Sequence, residues 1–344
     1  MVPAHDLVSV EYRPRRLVYA GHVKSIAVVL VALCACGDDG SDVTTPDGAP
    51  LVDAGPDAPD APMVDMPGTP MACAAGRSTT NRPDDSSLDQ IRFLYVLPSD
   101  AVDHQRDTND QICNSVRGIA AWFHAQSNLD LRFDTSGGLI DIGFVRLTKT
   151  DAQMRGTDPN NTSIDTGTAF VRERIERELV AMGAIASNKL YGVFYEGSSV
   201  YACGGGAYPP LIKARVGAVY LRGMPPGVTV PCGDSFPWGQ ASLVPSYIDY
   251  AILHELVHSM GIVPDASPNE HAQGHVFDAT SGTPNRDLMY SPRTSGDPAW
   301  ATNNPAGLLI DINRDDYFTA GTVDLATMSL ITPLPATSHR PNGW

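Results

Sequence analysis

The residues with the clearest chemical meaning form the pattern His-Glu-x-x-His at positions 254–258. In a helix, residues four apart lie on one face, so His254 and His258 present two imidazole nitrogens to one metal ion. Glu255 follows the first histidine, where its carboxylate reaches a water molecule polarised by that metal. The pattern predicts a zinc (Zn2+) site in which His254 and His258 are ligands and Glu255 is the general base.

A helix must position these three residues. Apolar residues recur every four positions through the motif, which predicts a largely buried helix. They are Ile248, Ile252, Leu256 and Met260. Ser246 and Asp249 form a capping-box pattern at its start, and Gly261 favours the left-handed conformation that ends helices. Pro264 cannot continue the helix, so the chain turns sharply and can bring a later residue back to the metal.

The motif and the residues after it resemble the metzincin zinc peptidases, whose pattern is HExxHxxGxxH followed later by a methionine turn. Four residues match that pattern position by position: His254, Glu255, His258 and Gly261. Met289, in Asp-Leu-Met-Tyr, resembles the turn methionine. The family's third histidine would fall at Pro264, which cannot bind a metal. The closer resemblance is to a group of secreted bacterial metzincin-like proteins with Gly-His-Val followed by Asp-x-Met-Tyr, and it covers residues 246–291.

The resemblance implies a peptidase whose zinc has three protein ligands and an open position. Because Pro264 leaves the family's third position vacant, four later residues compete for it: His275, His271, Asp265 and Asp278. His275 is the predicted ligand, because it lies in the segment similar to the bacterial group, and His271 is the main alternative. Asp278 could instead hydrogen-bond a ligating imidazole. Met289 is expected to pack beneath the site, and Tyr290 is a candidate oxyanion stabiliser.

The first 36 residues have the order of an export signal. Basic residues precede an apolar run at 25–35, which is about half the ~20 residues that a membrane-spanning helix needs. Leu33-Cys34-Ala35-Cys36 resembles a bacterial lipobox, which implies a lipid anchor on Cys36. We therefore predict a lipoprotein-type signal peptide at 1–36 and an exported protein, anchored to a membrane of a bacterial cell envelope or secreted.

Residues 37–72 are rich in aspartate and proline and contain no lysine, arginine or aromatic residue. Such a segment buries too little apolar surface to fold, so its composition predicts a disordered linker. Of the formal charge of −15, residues 1–36 contribute +2 and residues 37–72 contribute −8, which leaves −9 for residues 73–344. An acidic domain without basic clusters is a poor nucleic-acid binder, so the expected partner is a peptide or protein substrate.

Residues 73–344 are predicted to form one catalytic domain of the α/β (α+β) class, with a metzincin-like mixed twisted sheet and a central active-site helix. Alternation and helical spacing predict strands at 91–97, 129–133, 140–147, 190–195 and 216–221, and helices at 110–126 and 169–182. Four cysteines remain in an exported domain, which predicts disulfides. Cys203 and Cys232 bracket a Gly/Pro-rich stretch and are the favoured pair, leaving Cys73 to pair with Cys113.

Together these patterns predict a zinc-dependent endopeptidase in which Glu255 is the general base. The alternative is a noncatalytic binding or adhesion lipoprotein on a metallopeptidase scaffold, for which a missing ligand or base would be expected. A serine peptidase is disfavoured because there is no GxSxG motif, and a cysteine peptidase because the mature cysteines are expected to be structural.

Overall fold

A computed structural model describes residues 71–155, 171–200, 202–207, 214–225, 229–235, 237–239, 241–261, 263, 267–271, 274–294, 296–301, 307–318 and 331–332. The predicted signal peptide with Cys36 and nearly all of the predicted linker lie outside these residues. Within the described part of the chain, no helix is both long enough and apolar enough to cross a membrane.

The strands and helices follow one another in a mixed order. The strands are β1 (Gln90–Leu97), β2 (Asp130–Leu131), β3 (Thr135–Ser136), β4 (Leu139–Ile140), β5 (Ile142–Arg146), β6 (Lys189–Tyr195), β7 (Gly204–Gly205), β8 (Val216–Tyr220), β9 (Glu270–His271), β10 (His275–Val276) and β11 (Ile331–Thr332). The helices are α1 (Gln111–Ser127), α2 (Asp151–Arg155), α3 (Val171–Ala181), α4 (Cys232–Ser235) and α5 (Tyr247–Met260), with 3-10 turns at Pro284–Arg286 and Ile312–Arg314.

Five strands form the central sheet in the spatial order β5-β1-β6-β8-β7. The first four run parallel, and β7 pairs antiparallel with β8 at one edge. Three small antiparallel pairs, β9-β10, β2-β11 and β3-β4, lie outside this sheet. The architecture is therefore a mixed α/β domain with a mostly parallel sheet, which agrees with the predicted fold class at that level.

Both faces of the sheet are covered, and this explains why β1 is buried along its whole length. Alternate side chains of a strand point to opposite faces. Ile91 and Phe93 pack into the cluster that contains α1 and α5, whereas Leu94 and Val96 pack into the cluster that contains α3. The helix α5, which carries the HExxH motif, is thus held between the sheet and α1, with nearly all of its residues buried.

Most of the elements predicted from periodicity are present. The helix predicted at 110–126 is confirmed as α1, and the strands predicted at 91–97, 190–195 and 216–221 are confirmed as β1, β6 and β8 within one residue at each end. The predicted strand at 129–133 is reduced to β2. The start of the helix predicted at 169–182 lies outside the described residues, and its remainder is α3.

The single strand predicted at 140–147 was wrong, because the chain divides there into β4 and β5. Asp141 lies between the two short strands, and its carboxylate accepts hydrogen bonds from Arg82 and Arg92. A buried carboxylate requires such partners. Both predicted disulfides, Cys73–Cys113 and Cys203–Cys232, are confirmed.

Candidate metal centre

The helix α5 carries the HExxH motif and is fixed at both ends. At its start, the carboxylate of Asp249 accepts a hydrogen bond from the backbone N–H of Ser246 at 2.7 Å. The same carboxylate accepts a bond from the hydroxyl of Ser115 on α1. At its end, Gly261 has a φ of 67° and donates its N–H to the carbonyl of His258 at 2.8 Å. The predicted capping pattern and terminal glycine therefore set the helix limits.

Three histidine rings converge on one point. The Nε2 atom of His258 lies 3.0 Å from Nε2 of His254 and 3.2 Å from Nε2 of His275. His254 and His258 are buried, and His275 is half-buried. Nitrogens bound at ~2.0–2.1 Å on two corners of a tetrahedron lie roughly 3.3 Å apart, close to the distances found here. The donor set therefore fits a tetrahedral zinc ion with one position left for water.

Burial keeps the two helix histidines neutral. It lowers the pKa of His254 to about 3, with a further lowering by His275. The pKa of His258 is also held well below its ordinary value by burial and then by the neighbouring rings of His254 and His275. Neutral imidazoles are the form that binds a metal, so these rings need lose no proton to become ligands.

The turn that contains Met289 holds the ring of His254 and the strand that carries His275. The Nδ1–H of His254 donates to the carbonyl oxygen of Leu288 at 2.6 Å, which directs Nε2 towards the other histidines. The backbone N–H of Val276, next to His275, donates to the carbonyl of Met289 at 2.8 Å. Met289 itself is fully buried in the core. One short turn therefore bonds to both segments that supply the converging histidines, through the ring of His254 and through the backbone of β10.

A buried carboxylate supports this turn from beneath. Asp287 accepts hydrogen bonds from the backbone N–H of Met289 at 2.7 Å, the hydroxyl of Tyr317 at 2.9 Å and the backbone N–H of Ile312 at 2.9 Å. Burial nevertheless raises the pKa of Asp287 well above its ordinary value. These bonds tie the turn to the later segment that contains Ile312 and Tyr317. No pattern in the sequence links that segment to the turn.

Glu255 is half-buried and lies against the edge strand β7. A Cβ atom at Gly204 would be 2.5 Å from Glu255 Oε1, and one at Gly206 would be 2.6 Å from the Cβ of His258. Only glycine permits this close approach. We call the backbone of residues 204–206 the glycine wall. Burial raises the pKa of Glu255 to about 8, against a smaller lowering by Arg172.

The other residues predicted near the site have different positions. His271 lies on β9, directly opposite His275 in the hairpin, and is not part of the converging group. Asp278 accepts bonds from Thr280 and Asn313, which makes it a turn-stabilising residue. Asp265 lies outside the described residues. The hydroxyl of Tyr290 donates to the carbonyl of Pro298 at 2.7 Å, and its role as an oxyanion stabiliser stays a prediction.

Several contributors to the site were not predicted. The carbonyl of Leu288 is a backbone acceptor, which has no side-chain signature. The glycine wall has a visible signal in the three consecutive glycines at 204–206, although the sequence alone does not show that Gly204 and Gly206 face Glu255. Trp300 lies beside His254, with 5.3 Å between ring centroids, and its place in a loop carries no periodic signal.

No protein-family model matches the chain, and no curated protein matches it either. Among solved structures, archaemetzincin from Methanopyrus kandleri is 11% identical with a TM-score of 0.30, covering 59% of this chain and 82% of that one. Catalytically inactive OgpA from Akkermansia muciniphila, bound to an O-glycopeptide, is 12% identical with a TM-score of 0.33, covering 70% and 62%. A chaperone–substrate complex is 15% identical with a TM-score of 0.23, covering 53% and 25%. At these identities and TM-scores, the likenesses do not indicate an activity for this chain.

Proposed function

We propose that this chain is a zinc-dependent endopeptidase. The observation that carries the proposal is the convergence of the Nε2 atoms of His254, His258 and His275, with Glu255 next to the first ligand on the same helix. Three imidazoles and one open position form a donor set that suits catalytic zinc.

The chain's own residues divide the chemical work. When bound, zinc polarises the scissile carbonyl and the attacking water. Burial alone favours the protonated form of Glu255, but the positive charge of a zinc ion held by the three converging histidines would favour the ionised carboxylate. In that form Glu255 would accept a proton from the water and then deliver it to the leaving nitrogen. The glycine wall packs against this carboxylate, and the carbonyl of Leu288 holds the ring of His254. Met289, fully buried in the core, is assigned a packing role beneath the site and no role as a ligand.

A noncatalytic binding or adhesion lipoprotein is the alternative function. Such a protein has no need of a general base beside a complete ligand set. Here Glu255 and the three converging histidines occur together, which supports catalysis over binding alone.

Hydrolysis of a mixed peptide library by the full-length protein tests the proposal. We expect cleavage that stops on chelation and returns with zinc. Glu255→Gln should retain zinc and lose about 10²–10⁴-fold in turnover, the usual contribution of proton-transfer catalysis. Glu270→Gln is the matched control and should retain activity. If the wild type does not cleave any peptide, or if Glu255→Gln is as active as the wild type, the proposal is wrong.

We also propose that the protein is exported and anchored through a lipid on Cys36, on the basis of the lipobox-like sequence. Cys36→Ala should move the protein from the membrane fraction to the soluble fraction of the cell envelope. An unchanged membrane fraction would contradict the anchor and leave the catalytic proposal intact.

A further inference from the structure

A loop after the methionine turn is fastened beside the candidate metal centre. Segment 298–301 is tied to segment 285–290 by four hydrogen bonds, each 2.7–2.9 Å long. The bonds are Tyr290 hydroxyl to Pro298 carbonyl, Asn285 side chain to Ala299 carbonyl, Ala301 N–H to Asn285 carbonyl, and Trp300 indole N–H to Asp287 carbonyl. Because the indole itself is one of the donors, the ring of Trp300 has a fixed orientation.

Trp300 and Tyr247 form one aromatic surface, which we call the aromatic wall. The ring centroid of Trp300 lies 5.3 Å from that of His254 and 5.9 Å from that of Tyr247, the latter in an edge-on arrangement. Both side chains are half-buried, so each retains an accessible portion. Burial, and then the negative charge of Glu255, raise the pKa of Tyr247 to about 12, so the wall is uncharged at neutral pH.

The aromatic wall and the glycine wall contact different members of the centre. The aromatic wall adjoins His254, whereas the glycine wall adjoins Glu255 and His258. The glycine wall presents no side chains, so it distinguishes poorly between the side chains of different substrates. Among the described residues, the aromatic wall places rigid, uncharged side chains beside His254, and such rings suit contact with another large apolar group.

We propose that Trp300 and Tyr247 select substrates that carry a large apolar or aromatic side chain next to the scissile bond. This inference rests on the proposed peptidase function and names its substrate class. Contact with such a surface should favour phenylalanine over alanine at that position by about 10- to 100-fold in kcat/KM. Trp300 acts here as a specificity-determining residue and has no role in proton transfer.

The test uses an equimolar peptide library and the full-length zinc-loaded protein, with cleavage sites identified by mass spectrometry. Wild type should cleave beside phenylalanine, tyrosine, leucine and methionine far more often than beside alanine. Trp300→Ala should lose that preference while retaining its zinc, and Trp300→Phe should keep most of it. Trp238→Phe removes a buried indole elsewhere, stacked on Phe194, and should leave the preference unchanged.

A binding measurement separates failure of this inference from failure of the proposed function. Immobilised Glu255→Gln protein should enrich library peptides that contain large apolar residues, and the Glu255→Gln, Trp300→Ala double variant should lose that enrichment. If the wild type cleaves peptides without apolar preference, or if Trp300→Ala keeps the wild-type preference, the inference is wrong and the peptidase proposal stands. If the wild type does not cleave, the peptidase proposal fails, and the absence of enrichment on the Glu255→Gln protein would overturn the inference as well.

Discussion

Substitution of Gly204 by alanine should impair catalysis without unfolding the protein. A Cβ atom at this position would lie 2.5 Å from Glu255 Oε1, and ordinary van der Waals contact begins near 3.4 Å. The carboxylate of Glu255 must therefore move by about 0.9 Å, the difference between these two distances. The obstructing atom is the end of a flexible side chain, so the protein can accommodate the methyl group by moving the general base.

The displacement sets the size of the expected effect. Misplacement of a catalytic group by about 1 Å costs about 10²-fold in rate, which corresponds to ~2.7 kcal/mol of transition-state stabilisation. The free energy of unfolding should change by less than ~1 kcal/mol, because alanine also restricts the unfolded chain and offsets part of any strain. The expected signature is a large loss of kcat with little loss of stability.

Two other glycines provide controls. Gly118 lies in α1, where an added Cβ would have its nearest non-local atoms at 3.8 Å, so Gly118→Ala should keep wild-type kcat and gain about 0.5–1 kcal/mol. At Gly206 the added atom meets the main-chain oxygen of Glu255 at 2.7 Å, so Gly206→Ala should also lose about 1–3 kcal/mol of stability. Steady-state kinetics and urea unfolding measure both quantities. A Gly204→Ala protein with kcat within threefold of wild type would refute the reasoning.

The remaining predictions concern stability. Burial raises the pKa of Asp249 from 3.8 to about 6, so its stabilising contribution is complete below pH 4 and is lost as the pH rises through 6. The free energy of unfolding of Asp249→Asn, relative to that of the wild type, should therefore rise by about 3 kcal/mol between pH 4 and pH 7, at ~1.4 kcal/mol per pKa unit. Unfolding titrations in which the two proteins change in parallel over this range would contradict the prediction. Replacing either cysteine pair by alanine should cost about 3–4 kcal/mol by loop-closure entropy. Loss of Cys203–Cys232, adjacent to the glycine wall, should also lower kcat, whereas loss of Cys73–Cys113 should not; equal effects on kcat would contradict that difference.

The sequence predicts best where local spacing determines structure. The repeat of apolar residues every four positions and the terminal glycine locate α5, and these features put His254 and His258 on one face. Such information is local, because it depends on backbone geometry within a few turns of one helix. The alternating order of strands and helices similarly predicts an α/β sheet, although not its strand order.

The choice between His271 and His275 depends on non-local pairing. The two residues are direct partners in one hairpin, so their own spacing does not separate them. β10 is the strand that also bonds to the methionine turn, since Val276 donates to the carbonyl of Met289. β9 lies one strand further away, a step of about 4.8 Å. That pairing brings His275 to the other two rings, and its role as a ligand remains a proposal.

Zinc affinity of single-histidine variants tests the central claim most directly. Competition with a chromophoric chelator should give one tightly bound zinc per chain in the full-length wild type. His275→Ala should weaken zinc binding by more than about 100-fold, which exceeds the usual cost of losing a residue that only hydrogen-bonds to a ligand. The zinc affinity of His271→Ala should remain within a few-fold of the wild-type affinity. Loss of zinc in His271→Ala with retention in His275→Ala would contradict the proposed ligand set.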